Sequence, residues 1–443
     1  MQLADVVGRP HDSDPTRDDG ATMKLMDTPP EEAPTDASEA ESAAQVRGPH
    51  LWLNWQGMRA GQPARSSSYG ESILVHPLWE EYALYSDAPL GGELELGPYQ
   101  LLTTFADDGG RIGRVSHQLV LRYSDHLEEA RAEFGDADVV EESGWTGGSL
   151  GDQMAAVLAL ALARRVRAGG VVRQGFDPDD PRGRPMTMGH RLPVLGEPGR
   201  RPMLPGVAET VELGDASDLL RTYATLSAAD AAVLTRAAGQ YADALWWADA
   251  DPRVAWIKLV GALETAANQA DKARDDGDAV ALLKRHRGAL YGRLRRIDPE
   301  AARVAAEALA GTLRVEAKLI AFTLDHAPAP PAVRPQRGRV DFDDLEPALR
   351  TVYDLRSRDL HDGIPFPWPL CEPPTTGTDG VYECFPGIAI QASGGTWPAE
   401  RLPMYLHVFA HIVGGVLRNW WSGLPYEAPT TEDAATSSRA SPP

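Results

Sequence analysis

The chain has 443 residues, enough for two or three domains, and its 43% hydrophobic and 24% charged residues are usual for a globular protein. Its two cysteines exclude a secreted disulfide scaffold, and its formal net charge of −21 argues against a chain that simply coats nucleic acid. The opening residues MQLADVVGRP lack the basic start and apolar run of a secretory signal, and no apolar run is long enough to span a bilayer. We therefore expect a cytoplasmic protein that does not bind membranes.

The chain begins with a strongly acidic segment. Residues 1–48 carry 11 acidic and 4 basic side chains, a net charge of −7, with many Pro, Ser and Ala residues and few aromatics. Such a segment cannot bury enough apolar surface to fold alone, so we predict a disordered acidic lead. Residues 427–443 are similarly polar and are predicted to be a disordered tail.

Residues 49–170 are predicted to form a β-rich N-terminal domain that ends in a helix. Within residues 51–123, the segments SILVHPLW, EYALYS, GELELG, YQLLTTF and VSHQLVLRY have the pattern of strands separated by turns. One helix is predicted over residues 149–168, with two glycines to end it. The pair Gly147-Gly148 lacks the Lys-Ser/Thr ending of a phosphate loop, so we interpret it as a helix-entry turn. We recognise no family in this domain, so its ligand or protein partner stays unknown.

A connector rich in Pro, Gly and Arg, residues 171–210, precedes a predicted helical domain over residues 211–426. Ser227 and Asp230 resemble a capping box, and the following helices begin at Asp-Pro pairs or on apolar stripes with helical spacing. The predicted helices span about 230–247, 253–272, 279–296, 299–324, 345–363 and 403–421. Long helices joined in sequence indicate an antiparallel bundle, so the whole chain is predicted to be a multidomain α+β protein.

One predicted helix carries a run of basic residues. Between residues 230 and 426 there are 25 acidic and 22 basic side chains, a net charge of only −3. The run consists of Lys284, Arg285, Arg287, Arg293, Arg295, Arg296 and Arg303. It is either the solvated face of a helix or a patch that contacts phosphates, in which Arg293, Arg295 and Arg296 would bind RNA.

An arginine occupies an apolar position of the helix predicted over residues 345–363. Leu349 and Val352 form an apolar stripe, and Arg356 takes its next position. A guanidinium directed toward a core or an interface needs a carboxylate or phosphate partner. Arg356 is therefore a phosphate-binding candidate, but it could instead form a buried ion pair, for instance with Glu264, or extend to water.

His361 lies five residues after Arg356, in the last helical turn before Gly363. Five residues rotate an ideal helix by roughly 140°, so the two side chains need a distorted helix end or a second subunit to meet. The carbonyl ends of the helix favour a protonated imidazole, and Asp359 and Asp362 add to that effect. His361 is therefore a candidate proton donor, although a histidine that caps carbonyls is as common.

The segment from Tyr353 to Gly363, YDLRSRDLHDG, resembles the signature of the HEPN superfamily, an arginine followed after four to six residues by a histidine. The tyrosine before the arginine, the serine after it and the nearby glycine are similar to the Apea-like branch. The upstream segment WIKLVGALE, which ends at Glu264, resembles the family's Ala-Leu-Glu helix. The resemblance covers about 190 residues and nothing before about residue 210.

This resemblance implies a HEPN-type bundle and a metal-independent endoribonuclease without a cofactor. It also implies RNA as substrate, a homodimer whose Arg and His line one cleft, and a role in stress or phage defence. Cleavage by the 2′-hydroxyl of RNA needs an acid, a base and positive charge for the phosphorane oxygens. Arg356 would bind the phosphate and His361 would transfer the proton, with Glu264, Ser357 and Tyr353 in support.

Three features favour a catalytically silent HEPN-like module that dimerises or binds a partner, and the first is the acidic net charge of the chain. Catalytic members often place Asn, Asp or His directly after the arginine, where this chain has Ser357. Nearly 40 residues also separate His361 from the last helix, and they are predicted to hold a hairpin of VYECF with IAIQA that would cover or extend the site.

Other side chains of this region could bind a metal ion or stack on RNA bases. Cys371, Cys384, His407 and His411 match no zinc spacing, so no metal site is predicted and the histidines are placed on the polar face of the last helix. For the tryptophans, core packing is preferred over base stacking; they are Trp246, Trp247, Trp256, Trp420 and Trp421.

Overall fold

The computed structural model describes residues 47–64, 77–103, 117–127, 142–175, 183, 200–270 and 279–425. The predicted disordered lead and tail lie outside these residues, apart from residues 47 and 48. The fold mixes α and β structure, with a sheet region in the N-terminal part and a helical region in the C-terminal part. No helix in the described part of the chain is both long enough and apolar enough to cross a membrane.

Five antiparallel strands form the main sheet, in the order β3-β4-β5-β1-β6. They are β1 (Trp79–Ser86), β3 (Leu94–Leu96), β4 (Tyr99–Thr103), β5 (His117–Ser124) and β6 (Arg167–Gly175). Two short strands, β2 (Leu90–Gly91) and β7 (Val211–Glu212), pair in parallel beside it. The predicted strands GELELG, YQLLTTF and VSHQLVLRY are confirmed as β3, β4 and β5. The segments SILVHPLW and EYALYS were predicted as two strands, but their described residues contribute to one, β1.

The first element of this region is a helix, α1 (His50–Arg59), where only strands were predicted. Asn54 on its inner face is buried, and its side-chain amide donates to the Tyr99 hydroxyl and to the backbone carbonyl of Ser124. Pro49 precedes α1 and no side chain caps its start, so the usual Ser, Thr, Asp or Asn signal is absent. Contacts with the distant strands hold this segment in its helical form.

The predicted helix 149–168 is too long, because α2 ends early (Leu150–Leu162) and the chain continues as strand β6. Ala163 adopts a left-handed φ of 52° that ends α2. Residues 167–175 then pair with β1, reaching into the stretch assigned to the connector. A Cβ on Gly169 would lie 2.0 Å from the ring of Tyr85, so this glycine permits close strand packing and is no helix stop.

The helical region contains eight helices within the described residues. They are α3 (Ser217–Thr222), α4 (Ala228–Trp247), α5 (Pro252–Ala270), α6 (Ala279–His286), α7 (Gly288–Ile297), α8 (Pro299–Asp325), α9 (Glu346–His361) and α10 (Leu406–Gly423). The predicted start signals are confirmed: Ser227 Oγ accepts the Asp230 N–H at 3.1 Å, and the Asp298 carboxylate accepts the Glu300 N–H at 3.0 Å. The helix predicted over 279–296 is two helices, because Arg287 leaves helical geometry with φ −139°.

The segment between α9 and α10 contains two small hairpins. One pairs β8 (Thr376–Gly377) with β9 (Gly380–Val381), and the other pairs β10 (Ala389–Ala392) with β11 (Gly395–Pro398). The predicted pairing of VYECF with IAIQA is therefore wrong. Ser393 and Gly394 both have positive φ, 49° and 80°, as a tight two-residue hairpin turn requires, and this turn pairs IAIQA with the residues that follow it.

The sheet region and the helical region share one continuous cluster of buried apolar residues, which extends from Leu51 to Trp421. Arg165, only 3% exposed, also joins them, with ion pairs of 2.6 Å to Asp87 and 2.7 Å to Asp249. Asp87 follows β1 and Asp249 follows α4. The placement of α4, and of α5 that packs along it, therefore depends on both regions.

Candidate functional site

Helix α9 packs its apolar stripe into the helical region next to α5 and α8. Leu349, Val352 and Leu355 are buried, and this burial fixes the direction in which Arg356 leaves the helix. The Arg356 side chain is only 19% exposed. A guanidinium in this position is largely removed from water, so it needs a partner of opposite charge.

The partner is Glu264, which α5 places opposite. Arg356 Nη2 donates to Glu264 Oε2 at 2.7 Å, and the Glu264 side chain is 16% exposed. This is the ion pair that the sequence analysis gave as one alternative for Arg356. Among the described residues Arg356 Nε has no hydrogen-bond partner, so the guanidinium keeps donor capacity beyond the bond to Glu264.

Burial dominates the ionisation of Glu264. Desolvation raises the pKa of this carboxyl, and the positive charge of Arg356 lowers it by less. The carboxylate is thus held ionised mainly by a single arginine in a largely dry setting. Any ligand that drew Arg356 away would leave Glu264 without its compensating charge.

Tyr353 and Ser357 are the neighbours of Arg356 on α9. Tyr353 is 7% exposed, its ring centroid lies 6.0 Å from Arg356 Cζ, and burial raises the pKa of its hydroxyl. Ser357 is half-buried. Tyr353 therefore provides a packing surface for the guanidinium.

His361 lies at the exposed C-terminal end of α9, and the structure does not bring it into contact with Arg356. The helix is regular up to His361, so the offset of five residues keeps the two side chains on different faces. Ile364 N–H then bonds to the carbonyl of Arg358 at 3.2 Å, and Gly363 takes a left-handed φ of 65°. The left-handed glycine ends α9, and the last turn keeps its helical geometry up to His361.

The two acidic residues near His361 have different environments. Asp359 is buried, and its Oδ1 lies 2.6 Å from Arg253 Nε at the start of α5, although the pair is poorly aligned for a hydrogen bond. Asp362 is exposed. Arg253 was not predicted as the partner of Asp359. Arg358 was not predicted as a site residue either, although this exposed arginine shares a face with His361 through its i,i+3 spacing.

The basic run divides into paired and exposed members. Arg287 pairs with the buried Glu316 of α8 at 2.9 Å and with Asp354 of α9 at 3.3 Å. Arg350 pairs with the same Glu316 at 3.1 Å. Arg303 forms ion pairs with Glu300 and Glu307.

Arg293, Arg295 and Arg296 are exposed on α7, and within the described residues none of them has a carboxylate partner. The bond between Arg287 and Asp354 places the start of α7 beside α9. Both interpretations of the three arginines, a solvated face or a phosphate-contacting patch, remain compatible with this arrangement.

The residues weighed as metal ligands do not assemble. Within the described ranges no group of three or more His, Cys, Asp or Glu side chains is placed to hold a metal ion. Burial raises the pKa of Cys371 to about 12 and also raises that of Cys384, which disfavours the thiolate that binds metals. His407 and His411 are half-buried and lie on the least buried side of α10, together with Arg418, as predicted. Burial lowers the pKa of His407 to about 4. His411 bonds through Nε2 to the carbonyl of Ala329 at 3.0 Å.

The preferred interpretation of the tryptophans, core packing, is confirmed for four of the five. Trp246, Trp256, Trp420 and Trp421 are at most 5% exposed, whereas Trp247 is 42% exposed. The buried rings are therefore not available to stack on bases.

The chain matches no protein-family model, no curated protein and no solved structure. The HEPN resemblance therefore depends on the motif residues of α5 and α9 alone.

Proposed function

We propose that the protein is a metal-independent endoribonuclease of HEPN type that cleaves RNA as a homodimer in the cytoplasm. One observation supports the proposal most directly. Helix α9 carries Arg356, whose guanidinium bonds to the Glu264 carboxylate, and ends in the exposed His361. These are the residue types that attack by the 2′-hydroxyl requires. A role in stress or phage defence follows from the resemblance alone.

In the proposed reaction the 2′-oxygen bonds to the neighbouring phosphorus while the bond from phosphorus to the 5′-oxygen breaks. The 2′-hydroxyl releases its proton to solvent water, and protonated His361 donates a proton to the leaving 5′-oxygen and is then reprotonated from solvent. Arg356 neutralises the charge that develops on the phosphorane oxygens. Glu264 and Tyr353 hold the guanidinium in place. The products carry a 2′,3′-cyclic phosphate and a 5′-hydroxyl, and no step uses a metal.

A second copy of the chain is needed to complete this site. Three exposed apolar side chains lie in the last turn of α9 or within seven residues after it: Leu360, Ile364 and Trp368, which are 47%, 44% and 40% exposed. A two-fold contact through this surface would bury them and bring His361 of one copy toward Arg356 of the other.

The test incubates the full chain with RNA in excess EDTA and analyses the product ends. His361→Gln keeps the size and hydrogen bonding of an exposed side chain, so it should melt like the wild type and cleave roughly 10² to 10⁴ times more slowly. Arg358→Gln is the matched control, because it removes a charge from the same exposed face without touching the proposed chemistry. Equal cleavage by His361→Gln and wild type would exclude His361 as a catalyst.

Mixing two inactive variants tests whether the site is shared between subunits. If Arg356→Leu and His361→Gln subunits exchange, half of the dimers are mixed, and each mixed dimer keeps one intact site. About a quarter of the wild-type activity should therefore return. No recovery despite demonstrated exchange would contradict the composite site.

A second candidate is a catalytically silent module that dimerises or docks a partner. It is favoured by the fact that Glu264 already neutralises Arg356 and that the end of α9 exposes apolar surface. A wild-type chain that forms dimers in light scattering but never cleaves RNA would establish this function in place of the nuclease.

A further inference from the structure

A polar cleft lies between α2 and β6 on one side and α4 and α5 on the other. Its volume is about 630 Å³, within the range of small-molecule sites. Small residues form much of its surface: Ala155, Ala156, Ala168, Gly239 and Ala242. Because these side chains are short, the elements that pack around the cleft leave a gap that larger residues would fill.

Three basic side chains line the cleft, Arg167, Arg236 and Lys258, against two acidic ones, Asp152 and Asp243, which leaves a net charge of +1. Lys258 is neutralised by Asp243 at 3.0 Å. Arg236, by contrast, donates through Nε and Nη2 to three backbone carbonyls of the loop before α2. A carbonyl group carries no formal charge, so these bonds do not neutralise the guanidinium. Arg167 lies over the ring of Trp246, 5.4 Å from its centroid. Among the described residues neither arginine has a carboxylate partner, although the chain as a whole carries a charge of −21. This positive excess favours an anionic ligand.

An exposed indole borders the same cleft. Trp145 lines it and is 62% exposed, and Arg236 fixes its backbone by donating to its carbonyl at 2.8 Å. A large aromatic side chain that is left uncovered, on a backbone that is hydrogen-bonded in place, is suited to stack on a planar ring. Gln240 and Thr265, which bond to each other at 2.9 Å, add polar groups that can orient the ring.

The N-terminus of α2 does not supply the anion site. Ser149 and Asp152 already cap this helix reciprocally, with the Ser149 N–H bound to the Asp152 carboxylate at 2.9 Å. Recognition of a phosphate therefore falls to Arg167 and Arg236. From the two guanidinium groups, the exposed indole and the volume of the cleft, we infer that it binds a small nucleotide, whose phosphate meets the arginines and whose base stacks on Trp145.

Gly239 offers a variant that fills the cleft without disturbing the fold. A Cβ at this position of α4 would meet nothing within 4 Å, and its φ is not in the left-handed region. Gly239→Leu should therefore keep or raise the melting temperature, because leucine favours helix over glycine. Gly292→Leu on α7 is the matched control, since a Cβ there also meets open space and lies outside the cleft.

Calorimetric titration of the full chain with AMP and with ATP measures the binding directly. We expect both nucleotides to bind. Adenosine and inorganic phosphate should each bind at least roughly tenfold more weakly than AMP, and Gly239→Leu should weaken AMP binding by roughly tenfold or more. Arg167→Gln, an exposed position, should also weaken AMP but not adenosine. Gly292→Leu should bind like the wild type.

Three results would overturn the inference: no binding of AMP or ATP at millimolar concentration, equal affinity for phosphate and AMP, or unchanged AMP binding by Gly239→Leu. The readout is binding of a small ligand, so a failure of the proposed RNA cleavage does not affect it.

Discussion

Replacing Arg356 and Glu264 with leucine, singly and together, measures what their ion pair contributes to the fold. Both side chains are more than four-fifths buried and 2.7 Å apart, so removal of either partner leaves the other charge largely desolvated. Loss of one partner of a fully buried pair costs several kcal/mol, and the remaining exposure here reduces that cost to about 2 to 3 kcal/mol. Thermal melting should register each single substitution as a drop of a few degrees.

The two single substitutions should differ in their pH dependence. In Arg356→Leu the remaining Glu264 can become neutral by binding a proton, whereas in Glu264→Leu the remaining guanidinium cannot lose one. Burial already raises the pKa of Glu264, and removal of Arg356 raises it further. A raised carboxyl pKa means that the folded state binds more protons than the unfolded state, so the destabilisation of Arg356→Leu should shrink as the pH falls from 7 toward 5. The destabilisation caused by Glu264→Leu should stay the same over this pH range.

The double substitution Arg356→Leu/Glu264→Leu provides the decisive comparison. It removes both charges and fills the site with apolar side chains, so its stability should return to within about 1 kcal/mol of the wild type. Additive effects, with the double variant as unstable as the sum of the singles, would refute the ion-pair reasoning. A stable double variant also separates fold from chemistry, because it tests RNA cleavage without Arg356 in an intact protein.

Two further predictions concern the basic helix α7 and the half-buried His407. Reversing Arg293, Arg295 and Arg296 to Glu should weaken RNA binding and reduce the slope of log affinity against log salt by up to about three. Arg221→Glu on α3 is the exposed control. An unchanged slope would assign the run to a solvated face. Burial lowers the pKa of His407 from 6.5 to about 4. Between pH 6.5 and pH 4 the folded state therefore binds fewer protons than the unfolded state. The protein should lose up to about 3 kcal/mol of stability as the pH falls through this range. His407→Gln should flatten melting temperature against pH in that window, and an equally steep curve would contradict the role of His407.

The helices were predictable where local signals and packing agree. Ser227 and Asp298 cap their helices as their positions before apolar stripes indicate, and both bonds are local to the chain. The prediction failed where pairing with a distant strand decides the structure. Residues after Leu162 lie in reach of β1, and the backbone hydrogen bonds gained there outweigh a helical pattern that was already weak.

The candidate site was predictable in part because an off-pattern charge is a strong local signal. Arg356 stands on an apolar stripe, and its contact with Glu264 follows from the need for a counter-charge on a neighbouring helix. Arg253 as the partner of Asp359 could not be foreseen, because nothing in the sequence says how α5 and α9 are oriented. The cleft between α2, β6, α4 and α5 was equally hidden, since its arginines, Arg167 and Arg236, are 69 positions apart in the chain.

Helix α5 is the element on which the cleft and the ion pair converge. Thr265 lines the cleft and bonds to Gln240 of α4, while the preceding residue, Glu264, holds Arg356 of α9. The Gln240 side chain also lies over Gly261, one turn earlier, where a Cβ would be 2.1 Å from its amide oxygen. A ligand that changes how α4 packs on this turn of α5 therefore also changes the geometry of the bond between Glu264 and Arg356. The double substitution cycle, repeated with AMP bound, measures that link as a change in the coupling energy of the pair.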